Sequence, residues 1–218
     1  MKADLHVHSD HSSDGSSSIE ELLAAADAMG IGCIAFTDHN TMNGYYEAVE
    51  MGYGIIIVPA MEISSAKGHI LAYGLSEEVP PGLEVKETID AIHAVGGIAV
   101  AAHPYRVWSG LGEVNVCKDF DAIEVMNGRS DKKGNQSAAA LADRLGKPVT
   151  AGSDAHSVRQ LGSALSIISD TCCDADEVIR AVLECRISVS GHSRSPMGSV
   201  RYAFKAVKEY IGRGFLRM

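Results

Sequence analysis

The chain has 218 residues, enough for one domain with a full hydrophobic core. No apolar run approaches the roughly 18 residues that cross a bilayer, so the sequence speaks against a membrane span. The formal net charge of −9 is uneven, with residues 186–218 at +6 and residues 1–185 at −15, and so acidic a body argues against an extended nucleic-acid surface. Five cysteines (Cys33, Cys117, Cys172, Cys173, Cys185) contain no CxxC pair and read as free thiols in a reducing cytoplasm. The opening Met1-Lys2-Ala3-Asp4 lacks the apolar stretch of a secretory signal, which agrees with a cytoplasmic location.

Taken in order, a strand is predicted at 3–7, then a helix at 18–29. Ser18 and Glu21 form a capping-box pattern ahead of it, and Gly30 stands where a C-cap glycine belongs. Next come a strand at 32–37, a helix at 41–52, and strands at 55–60 and 69–74. The pattern continues with helix 84–95, strand 97–102, strand 121–126, helix 135–146, and strands 148–152 and 163–168. Helix 174–184, strand 186–190 and a basic amphipathic helix at 199–212 complete it. Short apolar runs alternating with helix-period segments imply βα units and a parallel sheet. No linker is evident, and residues 1–218 read as one domain whose basic end, 186–218, is a last strand, loop and helix.

Residue types that ligate metals recur just after these strands. They are Asp4-Leu5-His6-Val7-His8, Thr37-Asp38-His39, Glu62, Ala102-His103-Pro104 and Ser153-Asp154-Ala155-His156. A strand's side chains alternate with period two, so His6 and His8 share a face, and Asp154-x-His156 repeats that spacing. Taken singly, each piece has an ordinary structural explanation. Jointly, at five strand ends, they point to one polynuclear site for Zn, Mn or Fe. Polar groups at the carboxyl ends of several strands favour a barrel over an open doubly wound sheet.

In this order the motifs resemble those of the PHP family (polymerase and histidinol phosphatase domain), from Ala3 to about Arg194. The resemblance implies a distorted (β/α)7 TIM-like barrel holding two or three divalent metal ions (Zn, Mn or Fe, with Mg possible). By position, a first metal would take His6, His8, Glu62 and Asp154. Glu62 would bridge to a second held also by His103, and a third would take Asp14, His39 and His156. Asp14 stands where histidinol phosphatases tend to carry His, and Ser13-Asp14-Gly15 looks more like the branch acting on nucleotides and short oligonucleotides. Family members often supply a histidine after the strand at 121–126. This chain has Asn127 there, whose carbonyl is a weaker ligand. His69 could compensate, contact phosphate or be structural.

Arg106, Arg129 and Arg194 lie in loops after strands, where bidentate phosphate contacts form. Trp108 and Tyr105 either stack on a nucleobase or pack their loop. His93 reads as structural. Residues 6–11 also spell a His-x-His-x-Asp-His zinc motif of metallo-β-lactamase-like hydrolases, but on the first strand and without that family's context, so His11 and Asp10 read as loop residues.

The expected activity is hydrolysis of a phosphate ester of a nucleotide or short oligonucleotide by a metal-bridged hydroxide. His156 or His192 would protonate the leaving oxygen, and Asp38 would steady a ligand or loop. The alternatives are a small-molecule phosphatase of the histidinol-phosphate type and a non-catalytic binding module. The oligomeric state is not encoded in any recognisable pattern.

Overall fold

The computed structural model describes residues 1–169 and 171–194. The helix expected at 199–212 lies outside the described residues. In chain order the elements are β1 (Lys2–Val7), α1 (Ile19–Met29), β2 (Cys33–Phe36), α2 (Asn43–Met51), β3 (Ile56–Val58), β4 (Ala60–Ser64), β5 (His69–Tyr73), α3 (Val85–Ala94), β6 (Ile98–Ala101), β7 (Ala122–Asn127), α4 (Lys132–Leu145), β8 (Val149–Gly152), β9 (Ala164–Ile168), α5 (Ala175–Leu183) and β10 (Ile187–Gly191). The capping box of α1 is present in both directions between Ser18 and Glu21. Helix α4 begins earlier than its apolar period suggests, because the Asp131 carboxylate accepts the Gly134 N–H at 2.7 Å and caps it.

The fold is α/β, but the sheets are mixed and the expected closed barrel does not form. Strands order as β10-β9-β1-β2-β3 in one sheet and β4-β5-β6-β7-β8 in the other. β1, β2 and β3 run parallel, as do β6, β7 and β8. β5 is antiparallel to both its neighbours, because residues 65–68 return the chain in a turn too short for a parallel crossover. β9 is likewise reversed between β1 and β10. The run at 55–60 was expected to be one strand and is cut at Pro59. β3 ends in the first sheet, β4 starts in the second, and a residue without an N–H marks the transfer.

Among the described residues, the two sheets meet through isolated parallel bridges, Val7 with Ala155 and His39 with Glu62, and not through continuous ladders. Four backbone bonds stitch these seams: His8 N–H to Ala155 O at 2.8 Å, Asp154 N–H to His6 O at 2.7 Å, Asn40 N–H to Glu62 O at 2.9 Å, and Glu62 N–H to Asp38 O at 3.2 Å. All four lie at strand ends carrying the candidate ligands.

The interior between the sheets has two layers. Toward the strand starts it is apolar: Ala3, Leu5, Cys33, Val100 and Ala122 pack together and are closed by Val178, Ala181 and Val182 of α5. Toward the strand ends it is lined by histidines and carboxylates. The fully buried Tyr73 reaches from β5 across to β1, its hydroxyl donating to Leu5 O at 2.7 Å. Tyr73→Phe keeps the ring and removes this bond, so the urea midpoint should fall by the equivalent of about 1 kcal/mol at unchanged slope.

Candidate metal centre

Glu62, 1% exposed on β4, is the centre of the polar layer. Five imidazoles approach its two oxygens. Oε1 lies 2.9 Å from His103 Nε2, 3.0 Å from His69 Nδ1 and 3.5 Å from His6 Nε2. Oε2 lies 3.2 Å from His39 Nδ1 and 3.3 Å from His8 Nε2. The rings close a circle, with centroids 5.2 Å apart for His6–His8, 4.6 Å for His8–His39, 5.0 Å for His39–His69, 5.6 Å for His69–His103 and 5.7 Å for His103–His6. Each arrives from a different strand end except His6 and His8, which share a face of β1 as their spacing requires.

Asp154 faces the same space, 3.7 Å from His8 Nε2 and 3.9 Å from His6 Nε2. His156 lies over His8, with centroids 4.3 Å apart, and its Nε2 is 2.8 Å from Asp14 Oδ2, while His39 Nε2 is 3.7 Å from Asp14 Oδ1. Four groupings therefore converge: His6, His8 and Asp154; Glu62 with His6 and His103; Glu62 with His39 and His69; and His8, Asp14, His39 and His156.

The surrounding groups aim these ligands. Glu124, buried on β7, accepts from His6 Nδ1 at 2.9 Å, which turns His6 Nε2 toward Glu62. It also accepts the His103 N–H at 2.8 Å and both bonds of the Asn127 amide at 3.1 Å. Ser12 Oγ contacts His8 Nδ1 at 3.1 Å and accepts the His39 N–H at 2.9 Å. Asp4 accepts the Ser153 N–H at 2.8 Å and the Gly162 N–H at 2.9 Å, holding the turn that presents Asp154. His103 (φ +28°) and Asp154 (φ +53°) occupy the left-handed region, a strain of about 1 kcal/mol or more each that concentrates at functional positions.

Burial opposes every charge here, and the partners decide each outcome. Burial would raise Glu62, yet His69, His6 and His39 hold it well below the usual carboxylate range. Burial likewise opposes ionised Asp154, which Arg106, His6 and Arg129 hold well below its ordinary value. Burial would depress His6, but Glu124, Asp154 and Glu62 lift it well above the ordinary imidazole value. His39 is raised against burial by Glu62 and Asp14. His8 is pushed well down by burial and by His156, and His103 falls to about 4 through burial and Arg106.

The donor set fits divalent cations. His39 Nδ1 and His69 Nδ1 sit within 3.2 Å of Glu62 oxygens, yet neither has a hydrogen-bond partner, nor does the buried Asp14 Oδ1. Buried nitrogens and oxygens aimed at shared points without hydrogen-bond alignment match ligand geometry, and the mixed imidazole–carboxylate chemistry suits Zn, Mn or Fe.

His6, His8, Asp14, His39, Glu62, His69, His103, Asp154 and His156 thus lie together around one space. Arg106 and Arg129 join them on Asp154: Arg106 Nη2 pairs with Oδ2, and Arg129 Nη1 lies 3.1 Å from Oδ1. Three expectations need correction. Asn127 Oδ1 is taken up by Arg106 Nη2 at 2.7 Å, the Arg129 N–H at 3.0 Å and Ser130 Oγ at 3.2 Å, so it is not a ligand facing the cluster. His192 is exposed on the chain beyond β10, and among the described residues the cluster's contacts do not reach it. Arg194 is tied by its N–H to Ser130 O at 2.8 Å and borders a separate cavity with Val125, Met126 and Asn135. The Asp38 carboxylate accepts the Ser9 N–H and hydroxyl, each at 2.7 Å, and so steadies the loop after β1 as read from the sequence, while its carbonyl accepts the Glu62 N–H at 3.2 Å.

His11 pairs with Glu47 and His93 with Asp121, away from the centre. Glu124 and Ser12 escaped the sequence reading. The one signal for Glu124 was a carboxylate in the middle of the apolar run 121–126.

Family models for the PHP domain and for a PHP-associated region match residues 4–102 and 132–187. The chain belongs to the PHP family. It is 39% identical over 140 residues to an uncharacterised protein of Methanocaldococcus jannaschii, covering 58% of this chain and 82% of that one. It is 40% identical over 88 residues, 37% of this chain, to a phosphoribosyl 1,2-cyclic phosphate 1,2-diphosphodiesterase of Eggerthella lenta, of which it spans 33%.

The fold resembles a two-domain Bacteroides vulgatus protein described as containing a PHP-like metal-dependent phosphoesterase. The TM-score is 0.71 at 19% identity, over 88% of this chain and 65% of that one. It also resembles the lesion-specific endonuclease Q of Pyrococcus furiosus, with TM-score 0.68 at 17% identity over 87% of this chain and 58% of that one. The chain spans less than two thirds of both structures.

Metal ligation needs unprotonated imidazole, and His6 and His39 are raised above the ordinary imidazole value by their carboxylate neighbours, so protons compete with metal at these rings. Loading the metal-free protein with Zn2+ or Mn2+ at pH 7 should therefore release protons. Apparent affinity should fall about tenfold per pH unit, for each proton displaced, as pH drops below 7. Calorimetry in buffers of different ionisation enthalpy reads this directly, and a pH-independent affinity would show that the imidazoles are not the ligands.

Proposed function

We propose that the protein is a metal-dependent phosphoesterase that hydrolyses a phosphate ester of a nucleotide or short oligonucleotide in a reducing, cytoplasmic setting. The observation that carries this reading is the circle of five imidazoles about Glu62, with Asp154 and two arginines on its flank. His6, His8, Glu62 and Asp154 would hold a first cation, Glu62 with His69 and His103 a second, and Asp14, His39 and His156 a third. His69 thus fills the role looked for after β7. Such cations supply positive charge for the phosphoryl oxygens and lower the pKa of a coordinated water.

The protein's own groups do the rest. Arg106 and Arg129 present guanidinium forks that an arriving phosphate can share with Asp154, fixing its orientation and offsetting charge that develops on its oxygens. His156, held by Asp14, is the group placed to pass a proton to the leaving oxygen whenever it is not itself a ligand. Asp38 and Glu124 position: the first holds the loop carrying Ser9 and Ser12, the second orients His6.

The family membership supports phosphoester chemistry. A ribose phosphate ester is supported by the Eggerthella relative's named activity on a phosphoribosyl cyclic phosphate, and its extension to nucleotides by the DNA-lesion endonuclease among fold relatives. The five free cysteines support the reducing compartment, and no helix among the described residues is long and apolar enough to cross a membrane.

The test is hydrolysis of a panel with Mn2+, Zn2+ and Mg2+: nucleoside monophosphates, 3′,5′-bisphosphonucleotides, a short 5′-phosphorylated RNA and histidinol phosphate. Turnover of a nucleotide or RNA should require metal and drop about a thousandfold or more in Asp154→Ala, as loss of a ligand-plus-electrostatic group does. Arg129→Ala should mainly raise KM. Histidinol phosphate as the best substrate, or no turnover by metal-loaded protein, would overturn the proposal.

A further inference from the structure

We infer that the cavity between the start of α1 and the turn after His156 receives a second phosphate group of the substrate, with Arg159 as the residue that selects for it. This rests on the phosphoesterase reading above and names what the substrate carries besides the ester that is cut. The cavity is about 570 Å³ and is lined by Ser16, Ser17, Glu21, Ser157, Val158 and Arg159. Its two walls belong to the runs that carry Asp14 and His156. The Ser16 N–H and hydroxyl both donate to His156 O, at 3.0 and 2.8 Å, and the Val158 N–H donates to Ser17 Oγ at 3.1 Å.

The centre meets solvent on this side. The side chains of Asp14, His39 and His156 are 28%, 14% and 10% exposed, whereas those of His6, His8, Glu62, His103 and Asp154 are at most 1% exposed. A substrate with its ester in the centre extends outward past these three residues. Arg159 stands three residues beyond His156, in a turn closed by the Gln160 N–H on Ser157 O at 2.9 Å and by the His156 N–H on Gln160 Oε1 at 2.9 Å. The opposite wall is equally set, since Gly15 packs on Ser9 O too closely for any Cβ.

The lining offers donors that the protein leaves unused. Arg159 is exposed, and its guanidinium has no hydrogen bond or ion pair among the described residues. Ser17 is 7% exposed, and its Oγ accepts from Val158, but its own hydrogen has no acceptor among the described residues. A buried donor without an acceptor is costly, and an oxyanion in the cavity supplies one. Glu21, the acid of this lining, is turned to the Ser18 N–H at 3.1 Å in the capping box. A phosphate group matches what remains, because a guanidinium fork takes two of its oxygens at once and a hydroxyl can take a third.

Hydrolysis is measured with adenosine 5′-monophosphate, adenosine 3′,5′-bisphosphate and a 5′-phosphorylated dinucleotide, using metal-loaded wild type, Arg159→Ala and Arg159→Lys. The bisphosphate or the dinucleotide should have a KM about tenfold below that of the monophosphate, the order of one charge-assisted phosphate contact. Which of the two gains more tells whether the cavity takes a terminal phosphate or an internucleotide link. Arg159→Ala should raise that KM about tenfold, leave kcat within about threefold and leave the monophosphate KM where it was. Arg159→Lys should restore part of the loss. The preference should shrink as salt is raised from about 0.05 to 0.5 M, since the guanidinium is exposed.

Hydrolysis with no preference for a second phosphate, or with a preference that Arg159→Ala leaves intact, would overturn the inference while the phosphoesterase reading stood. Calorimetry of the same nucleotides with metal-free protein reads binding without turnover. Tighter binding of the bisphosphate or dinucleotide that is lost in Arg159→Ala, with no ester hydrolysed when metal is supplied, would overturn the phosphoesterase reading and leave the subsite standing. Neither hydrolysis nor preference would overturn both.

Discussion

An ionised carboxylate sits almost fully buried at the middle of this molecule, and the rest of the polar interior is arranged to make that tolerable. Moving such a group out of water costs several kcal/mol unless charge and donors surround it. Glu62 meets that demand with five imidazoles, and no single strand can supply them. β1 gives two by its period-two spacing. The others come from the loop after β2, from β5 and from the turn after β6. Convergence of those strand ends is therefore a condition on the fold. The backbone shows where it is met: both seams between the sheets are bonded at His6, His8, Glu62 and Asp154, and Gly152 lies so close that a Cβ there would be 2.3 Å from His6 Cβ. The break at Pro59 belongs to the same solution, since it moves β4, and Glu62 with it, into the second sheet.

Around this first circle runs a second arrangement built on Glu124 and Asp154. Glu124 lies between His6 and the Asn127 amide, Asn127 also donates to Asp154 at 3.0 Å, and Arg106 closes the loop by bonding both Asn127 and Asp154. Arg106 and Arg129 face Asp154, while the buried Glu124 is met by His6 Nδ1, the His103 N–H and the Asn127 amide. This arrangement gives Asn127 a physical role that a metal ligand could not fill. Its amide donates to two carboxylates while its carbonyl accepts from a guanidinium, and a histidine has neither that donor count nor that acceptor.

Much of this was legible in the sequence, and the failures have identifiable causes. Strand and helix positions followed from apolar period and from caps such as Ser18–Glu21 and Gly30, because these signals are local. The candidate ligands stood out because His6, His8 and Asp154 occur in short motifs just after apolar runs. Pairing direction was not: nothing in a run of apolar residues states whether its neighbour is parallel, so the reversed β5 and the split at Pro59 went unread. Asn127 was judged by its place after a strand, but its partners Arg106 and Glu124 lie 21 and 3 residues away and only folding brings them together. Tyr105 and Trp108 look alike in sequence, and only burial separates the packed ring from the exposed one.

The same crowding links the site to the stability of the fold. With no cation bound, the circle keeps raised His6 and His39 against depressed Glu62 and Asp154, an ion network that holds only while both signs are present. Its carboxylate contribution is lost as pH falls below the ordinary carboxylate range, and its imidazolium contribution as pH rises through the elevated values of His6 and His39. A divalent cation held there would replace the mobile protons with fixed charge and remove the upper limit of that window. Metal binding and folding therefore draw on one free energy. The apolar layer closed by α5 contains no member of this circle. The strand starts can hold the fold while the strand ends, strained at His103 and Asp154, are left to chemistry.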